Sequence, residues 1–596
     1  MTCSRQTTYP LFHIMYSNKE NINILTSLLL EYGVSDAVVC PGSRNAPIVH
    51  NLSQCSQMHC HPVTDERSAG FFALGLALAT RRPVVVCVTS GTALLNLAPA
   101  VAEASCQHVP LVVVSADRPP QWIGQLDGQT LPQPDALGRF VRKAVTLPEP
   151  CDDEVRWYCR RLVNEALHAA SFRQPSPVHI NVPITEPLFS FDVERLPEER
   201  RFSVMGRACC GSVPCGLSAR LRRAARPLIV FGQMACGTVP PATLHALMRR
   251  YVVFGEPLSN PSYTTVHFDE AVRCLMALQA DASAAGQPLA DAPQAYTPDY
   301  IIYIGDTLVS KATRRWLRAS KAPSCLVTPD GLDVHDPVMT LEDIVECPSD
   351  GIGALLDSLC AAGGVPDGSG EEAADALHAE SQREFYDRWQ SLLLRMSECA
   401  EAYQPAYSQM AAVKYFEEQL DDLDTDICVH YANSTAIRLA CIYSAHYVWC
   451  NRGVNGIEGS LSAAAGFAAG TESMTVCVIG DLSFFYDQNA LWNKNLRGNL
   501  RIILLNNRGG GIFRQLKGLG DSPAAAPFVE AEHETTAQGI CTQNDIGYLS
   551  AKDMSEMQIG IVTLLTRETE RPMLLEVFTD KEEDARMLGE YFRTLR

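Results

Sequence analysis

The sequence predicts an α/β protein of three domains, each a mostly parallel sheet flanked by helices. Three observations lead there. Short apolar runs bounded by turn residues (among them Ala37–Cys40, Pro83–Thr89, Thr475–Ile479 and Ile502–Leu505) alternate with helix-like stretches, the pattern of strands buried on both faces. At 596 residues the chain is too long for one hydrophobic core. Two segments have linker composition, the charged one from about 191 to 225 and the Gly-rich one at 361–374. The expected domains are 15–190, 191–375 and 376–596.

Composition narrows the functional classes. A formal charge of −19 argues against a nucleic-acid partner and against an anionic membrane surface. An anionic substrate must therefore meet local basic residues. The 22 cysteines are scattered, many of them inside apolar runs, and show no zinc-like spacing. Such thiols read as reduced, in a cytoplasmic protein. Neither a signal peptide nor an apolar run of eighteen residues is evident, so no membrane segment is expected.

In the first domain a helix-like stretch, Asn21 to Tyr32, leads to the run Ala37–Cys40 and the turn Pro41-Gly42-Ser43-Arg44-Asn45. Backbone N–H groups, a hydroxyl and a guanidinium at a sheet edge make a reasonable anion site. Glu66 falls where a strand gives way to the small-residue helix Phe71–Thr80. A first-turn acid is favoured by the helix dipole, and a buried one could share a proton with a cofactor. Ser90-Gly91-Thr92-Ala93 is a turn opening a helix. The run Leu111–Val114 ends in Ser115-Ala116-Asp117-Arg118, and Gly124–Thr130 is a polar loop carrying Gln129. The run Val178–Pro183 closes the unit.

The second domain begins at the run Arg226–Gly232 and continues through 300–306 and 324–327, with Ala280–Pro298 expected as an exposed loop. No Gly-x-Gly-x-x-Gly follows a strand, so a dinucleotide site is not indicated. A helix is expected from Asp375 to Glu401. The third domain contains Tyr431-Ala432-Asn433-Ser434, the loop Asn451–Gly459, a small-residue helix at Ser462–Gly470, and the stretch Gly480 to Gly511. In that stretch Asp481 and Asn507, 26 residues apart, each follow an apolar run, with a crossover helix expected between. They are expected at the carboxyl ends of neighbouring strands, where open α/β sheets bind ligands. A carboxylate, a carboxamide and a nearby backbone carbonyl are hard donors suited to Mg²⁺ beside phosphate oxygens.

Taken together, Gly480-Asp481 to Asn506-Asn507, with CPGSRNAP at 40–47, DERSAG at 65–70, TSGTA at 89–93, SADRPP at 115–120, NRGVNGIEG at 451–459 and NNRGGGIF at 506–513, resemble the thiamine diphosphate-dependent enzymes. Within that family they are similar to the carboligase of menaquinone biosynthesis. The resemblance covers all three domains and is thin between about 190 and 430. It implies a transferase that decarboxylates 2-oxoglutarate and adds the succinyl-semialdehyde carbanion to isochorismate, giving 2-succinyl-5-enolpyruvyl-6-hydroxy-3-cyclohexene-1-carboxylate and CO₂. The first domain would hold the cofactor's pyrimidine, and the third its diphosphate and metal.

The resemblance further implies roles for residues. Glu66 would be catalytic, bonded to the pyrimidine nitrogen. Asp481, Asn507 and the Gly509 carbonyl would hold Mg²⁺ (or Mn²⁺). Gly91, Thr92, Ser434, Gly456, Ile457, Leu482 and Ser483 would also contact the cofactor. Ser43, Arg44, Arg118, Gln129, Lys311, Ser434, Arg438 and Arg452 would contact the substrates, with Ile512, Phe513 and Leu516 as an apolar wall. A homodimer or homotetramer with its active site at a subunit interface is implied as well. Ala312 departs from the family's usual Lys-Arg pair, which leaves one carboxylate contact to Arg314 or Arg315 or missing. Two other readings compete: acetolactate synthase or a simple 2-oxo acid decarboxylase, whose pyruvate pocket would not need so many arginines, and a non-catalytic α/β protein.

Overall fold

The computed structural model describes residues 15–202, 214–259, 267–284, 292–332, 334–362, 372–420, 423, 426–511 and 522–595. The chain forms two compact units: one from the chain up to residue 205 with Trp492–Asn495, the other from the remainder.

The first unit is built on a parallel sheet of β1 (Asp36–Val39), β2 (His59–Pro62), β3 (Val84–Val88), β4 (Leu111–Asp117), β5 (Lys143–Thr146) and β6 (Val178–Pro183). Its order is β2-β1-β3-β4-β6-β5. Every residue of β3, β4 and β6 is buried, which is why these strands are mainly apolar in the sequence, with buried polar residues such as Asp117 and Asn181 hydrogen-bonded to one another. The run expected to end at Val114 extends as strand to Asp117. Strand β5 went unread because it lies at the sheet edge, half-exposed and without an apolar run. Helix α1 (Glu66–Thr80) starts four residues after β2. Of the segment expected as linker, Phe191–Val193 pairs antiparallel with Tyr16–Ser17 and Cys215–Arg223 is helical.

The second unit carries two parallel sheets. One joins β7 (Pro227–Phe231), β8 (Val252–Gly255), β9 (Tyr300–Ile304), β10 (Ser324–Thr328) and β11 (Leu341–Glu346) in the order β8-β7-β9-β10-β11. The other joins β12 (Ile427–Tyr431), β13 (Val448–Trp449), β14 (Met474–Gly480), β15 (Leu500–Asn506), β16 (Gly547–Ala551) and β17 (Met573–Phe578), ordered β13-β12-β14-β15-β17-β16. That repeats the strand order of the first unit's sheet. In both, the order reverses between the first and third strands, the crevice where such sheets place ligands.

Two expectations need correction. Ala280–Pro298 is not one exposed loop: residues up to Ala284 belong to helix α2 (Phe268–Ala284), and Ala292–Ala295 are helical too. Between Asp481 and Asn507 there is no full crossover helix. Helix α5 (Asp481–Tyr486) is followed by a 3₁₀ turn, Gln488–Leu491. Trp492–Asn495 then belongs to the first unit, where Asn495 Nδ2 donates to the Pro62 carbonyl at 3.0 Å. The sequence there, Asn493-Lys494-Asn495-Leu496-Arg497-Gly498-Asn499, is rich in poor helix formers.

Helix α4 (Glu372–Ala402) anchors the second unit through Trp389, which is fully buried. Its ring stacks on Phe268 at 4.5 Å and 8°, and its indole N–H donates to the Tyr296 carbonyl at 3.2 Å. Apolar side chains of both sheets, such as Val230 and Val478, join with Trp389 in one core. Trp389→Ala should therefore cost about 3–5 kcal/mol of stability, the usual range for removing a large buried aromatic. Urea unfolding followed by circular dichroism checks this, and a loss under 1 kcal/mol (about the effect of a typical surface change) would refute the anchoring role.

Candidate active site

In the first unit the turns after β1 and β3 meet at the point of reversal. A Cβ on Gly42 would lie 2.4 Å from Thr89 Cβ, so only glycine lets these turns approach so closely. Ser43 is exposed, whereas Arg44 is buried, donating to the Ile184 carbonyl (3.1 Å) and to Glu186 Oε1 (3.2 Å). Asn45 fixes the turn by donating to the Cys40 carbonyl at 2.8 Å.

Glu66 is the first residue of α1, behind the N-cap Asp65, whose side chain accepts the Ser68 N–H. It is half-buried and accepts from Asn96 Nδ2 at 3.4 Å. Burial, with the charge of Glu66 adding to it, pushes the Cys40 thiol well above its usual range.

Gly91 is held by a residue that the sequence did not single out. Gln133, fully buried, accepts the Gly91 N–H at 2.7 Å and donates to Asn181 Oδ1 at 2.8 Å. Asn181 in turn donates to Asp117 Oδ2 (2.9 Å), and Asp117 Oδ1 accepts the N–H of Arg118. One buried polar network thus supports the turn before Thr92 and the strand end that presents Arg118. Thr92 and Gln129 are exposed, and Arg118 Nε reaches the Gly128 carbonyl at 3.1 Å.

In the second unit, β14 and β15 are parallel neighbours, so Asp481 and Asn507 stand at adjacent carboxyl ends as expected. Asp481 is buried; its oxygens accept the N–H groups of Leu482 (2.6 Å) and Gly509 (2.9 Å). Ser483 is buried on the same short helix. Asn507 donates its Nδ2 to Asp584 at 2.9 Å, which fixes the amide and leaves its oxygen without a hydrogen bond among the described residues. Asp584 begins nothing recognisable in the sequence, yet it also accepts from Gln409 N and Thr579 Oγ1. Burial pushes its carboxyl up to about 6 against these three bonds. A small cavity beside Asn507 is lined by Asp584, Gln409, Thr435 and Lys581.

Gly509 adopts φ +154°, where a Cβ would lie 2.9 Å from the Glu530 carbonyl. His533 Nδ1 accepts the Thr535 N–H, leaving Nε2 as the protonated nitrogen, 3.4 Å from Asp481 Oδ2. Among the described residues no three His, Cys, Asp or Glu side chains form a metal cage. The donors present, Asp481, Asn507 Oδ1 and backbone carbonyls, fit a hard cation completed by phosphate oxygens.

Around this edge, Asn433 organises the loop after β13. Its Nδ2 donates to the carbonyls of Asn451 (2.6 Å) and Gly456 (2.7 Å), and its Oδ1 accepts from Arg452 Nη1 (3.0 Å). Ser434 follows with φ +76°, a strained conformation for serine that directs it into the crevice turn. Ile457 is exposed. Arg452 is buried, with its Nε unpaired. Arg438 is half-buried, and burial, then the charges of Arg452 and Arg273, lower its pKa. Lys311 is exposed at the start of helix α3 (Lys311–Ser320); Arg314 is half-buried and Arg315 exposed. Ile512, Phe513 and Leu516 lie outside the described residues.

The turn before Lys311 rests on Glu256, another residue without a sequence signal. Its carboxyl accepts the N–H groups of Val309 (2.5 Å) and Ser310 (2.8 Å). Burial raises its pKa to about 7, against those bonds and the charge of Arg452.

Residues 22–137 match the family described as thiamine pyrophosphate enzyme, N-terminal TPP binding domain. The chain is 41% identical to the 2-succinyl-5-enolpyruvyl-6-hydroxy-3-cyclohexene-1-carboxylate synthase of Bacteroides thetaiotaomicron, over 98% of this chain and 100% of that protein. Synthases of the same name from Bacteroides fragilis and Porphyromonas gingivalis are 40% and 33% identical. They cover 98% and 97% of this chain and 100% and 97% of their own.

Glu256 carries a testable pH dependence. Its folded pKa of about 7 lies above the ordinary 4.5, so the folded chain holds an extra proton between those values. Its stabilising contribution is full below the ordinary pKa and is lost as pH rises through about 7. Glu256→Gln has no such loss, so its stability deficit against the parent should shrink by about 3 kcal/mol from pH about 4.5 to about 7.5. Urea unfolding at both pH values reads the difference; a deficit independent of pH would contradict the raised pKa.

Proposed function

The chain belongs to the 2-succinyl-5-enolpyruvyl-6-hydroxy-3-cyclohexene-1-carboxylate synthase family, and from that premise we propose how its residues perform the family's reaction. The activity is thiamine diphosphate-dependent: 2-oxoglutarate loses CO₂ and the resulting four-carbon unit is added to isochorismate in menaquinone biosynthesis. The observation that carries the substrate assignment is the crevice of the second unit, where Arg438 and Arg452 make no direct ion pair among the described residues, the charges of Asp269 and Glu256 reaching them only from a distance. Like charges held together under partial burial disfavour one another's charged forms, and a bound anion relieves that cost. Both substrates are polycarboxylates. A pyruvate-only pocket would not need that charge, which sets the acetolactate synthase reading aside.

Thiamine diphosphate, when bound, supplies the electron sink that makes decarboxylation feasible. The protein's part is to bind, orient and move protons. Glu66 holds a proton at the pyrimidine nitrogen, from the start of a helix whose dipole favours its charge. Asp481, Asn507 and the Gly509 carbonyl take Mg²⁺ or Mn²⁺ against the diphosphate. Asp584, by holding the Asn507 amide nitrogen, would leave the amide oxygen for the metal. Gly91, Thr92, Ser434, Gly456, Ile457, Leu482 and Ser483 line the cofactor. Ser43, Arg44, Arg118, Gln129, Lys311, Arg438 and Arg452 receive substrate carboxylates, and Ile512, Phe513 and Leu516 complete the pocket's apolar side.

The domains 15–190, 191–375 and 376–596 are read as pyrimidine-binding, central and diphosphate-binding, in keeping with one sheet in each span. Free cysteines throughout the described residues favour a cytoplasmic protein, and no described helix is long and apolar enough to cross a membrane. The working form is a homodimer or homotetramer whose active sites lie at subunit interfaces.

Glu66→Gln should keep thiamine diphosphate binding but lose CO₂ release from 2-oxoglutarate by about 100-fold or more, the scale of general acid–base catalysis. Near-normal turnover would sink its role. Asp481→Ala should weaken cofactor affinity in the presence of Mg²⁺ but little in its absence, by calorimetry; equal affinities in both proteins would exclude Asp481 as a ligand. Mixing the two inactive variants after dissociation tests the interface. Recovered activity is expected where each site draws on two copies, and none at all would contradict it.

A further inference from the structure

One cation near the second unit's crevice was not singled out by any motif. Arg273 lies on α2, one turn after Asp269, and its guanidinium is pinned on two sides. Its Nε donates to Asp269 Oδ2 at 2.7 Å, and its Cζ sits 4.4 Å from the centre of the Phe592 ring. Nη1 and Nη2 make no hydrogen bond or ion pair among the described residues.

The same Asp269 links Arg273 to the turn that presents Lys311. Its other oxygen accepts the Ser310 hydroxyl, and Ser310 caps α3 immediately before Lys311. Across that turn, Glu256 holds the N–H groups of Val309 and Ser310, and Arg452 Nη2 reaches the Val309 carbonyl at 3.5 Å. One short segment is thus braced by two buried or half-buried carboxylates, with a guanidinium tied to each side. Arg438 feels the positive charges of both Arg452 and Arg273, with Asp269 a balancing carboxylate, and makes no hydrogen bond or ion pair among the described residues.

An ordinary surface ion pair one helical turn apart explains the Asp269 contact but not the rest. Such pairs stabilise by only a few tenths of a kcal/mol, and this one adds a third guanidinium to a group of like charges. A planar guanidinium held by Nε and by its face, with both Nη edges open, is arranged for two parallel bonds to a carboxylate. We propose that Arg273 is a third guanidinium of the substrate pocket, binding one carboxylate of a dicarboxylate substrate in concert with Lys311 and Arg438. Asp269 is its positioning residue. This rests on reading the crevice as the substrate pocket.

The test uses the full chain with thiamine diphosphate and Mg²⁺. Arg273→Gln should raise KM for 2-oxoglutarate or for isochorismate about tenfold or more, the loss of a charged hydrogen-bonded contact. Its kcat should stay within about threefold, as for a contact made equally in ground and transition states. Arg273→Lys should fall between, because an ammonium keeps the charge and loses the fork. Calorimetric titration with glutarate, and separately with isochorismate, reads binding apart from turnover and should weaken for at least one probe. Unchanged KM values and unchanged affinities would overturn the proposal, as would a fall in kcat accompanied by a lower melting temperature. Should the parent turn over neither substrate while Arg273→Gln loses glutarate binding, the proposed function fails and the dicarboxylate site stands.

Discussion

Parallel sheets buried on both faces leave polar chemistry one place to go, the ends of the strands. That constraint shapes the whole chain. With β3, β4, β6 and β15 fully buried, most side chains along these strands serve packing, and the few polar ones, such as Asp117, Asn181 and Asn506, are hydrogen-bonded internally. The residues that follow the strands carry the polar chemistry: the charged Arg44, Glu66, Arg118 and Asp481, and the amide of Asn507. Reversal of strand order in both six-stranded sheets opens a crevice between the first and third strands, so the loops there can approach a ligand without threading past neighbours.

Loops placed this way need support, because a buried backbone N–H without a partner costs about 1–3 kcal/mol. The support is a layer of buried polar side chains: Gln133 beneath Gly91, Asn433 beneath the Asn451–Gly456 loop, Asp584 behind Asn507 and Glu256 under the turn before Lys311. Each satisfies backbone or amide groups while directing another group toward the crevice. Burial raises the pKa of Asp584 and Glu256, so ionising either carboxyl in place works against desolvation.

Net charge and local charge pull in opposite directions here. A chain of formal charge −19 gathers Arg273, Arg438 and Arg452 near one edge of its second unit. Long-range repulsion of anionic substrates is thereby overcome over a few ångströms, within about one screening length at physiological salt. The carboxylates of Glu256 and Asp269 temper this cluster and fix its geometry without neutralising it.

Much of this was legible in the residues alone. The apolar runs located the principal strands because a strand buried on both faces is mostly apolar. Gly480-Asp481 and Asn506-Asn507 located the metal-like donors because turn residues mark strand ends. What escaped had no local signal. The edge strand Lys143–Thr146 is too short and too exposed to stand out, and Asn-rich sequence after Leu491 broke the expected crossover helix. Asp584 lies 77 residues from Asn507, Gln133 lies 42 from Gly91, and Arg273 reaches the Lys311 turn only through Asp269. Periodicity and turn chemistry act over a few residues, so sequence decides which elements form and what their ends can offer. Which distant side chain satisfies a buried donor is settled only when those elements pack.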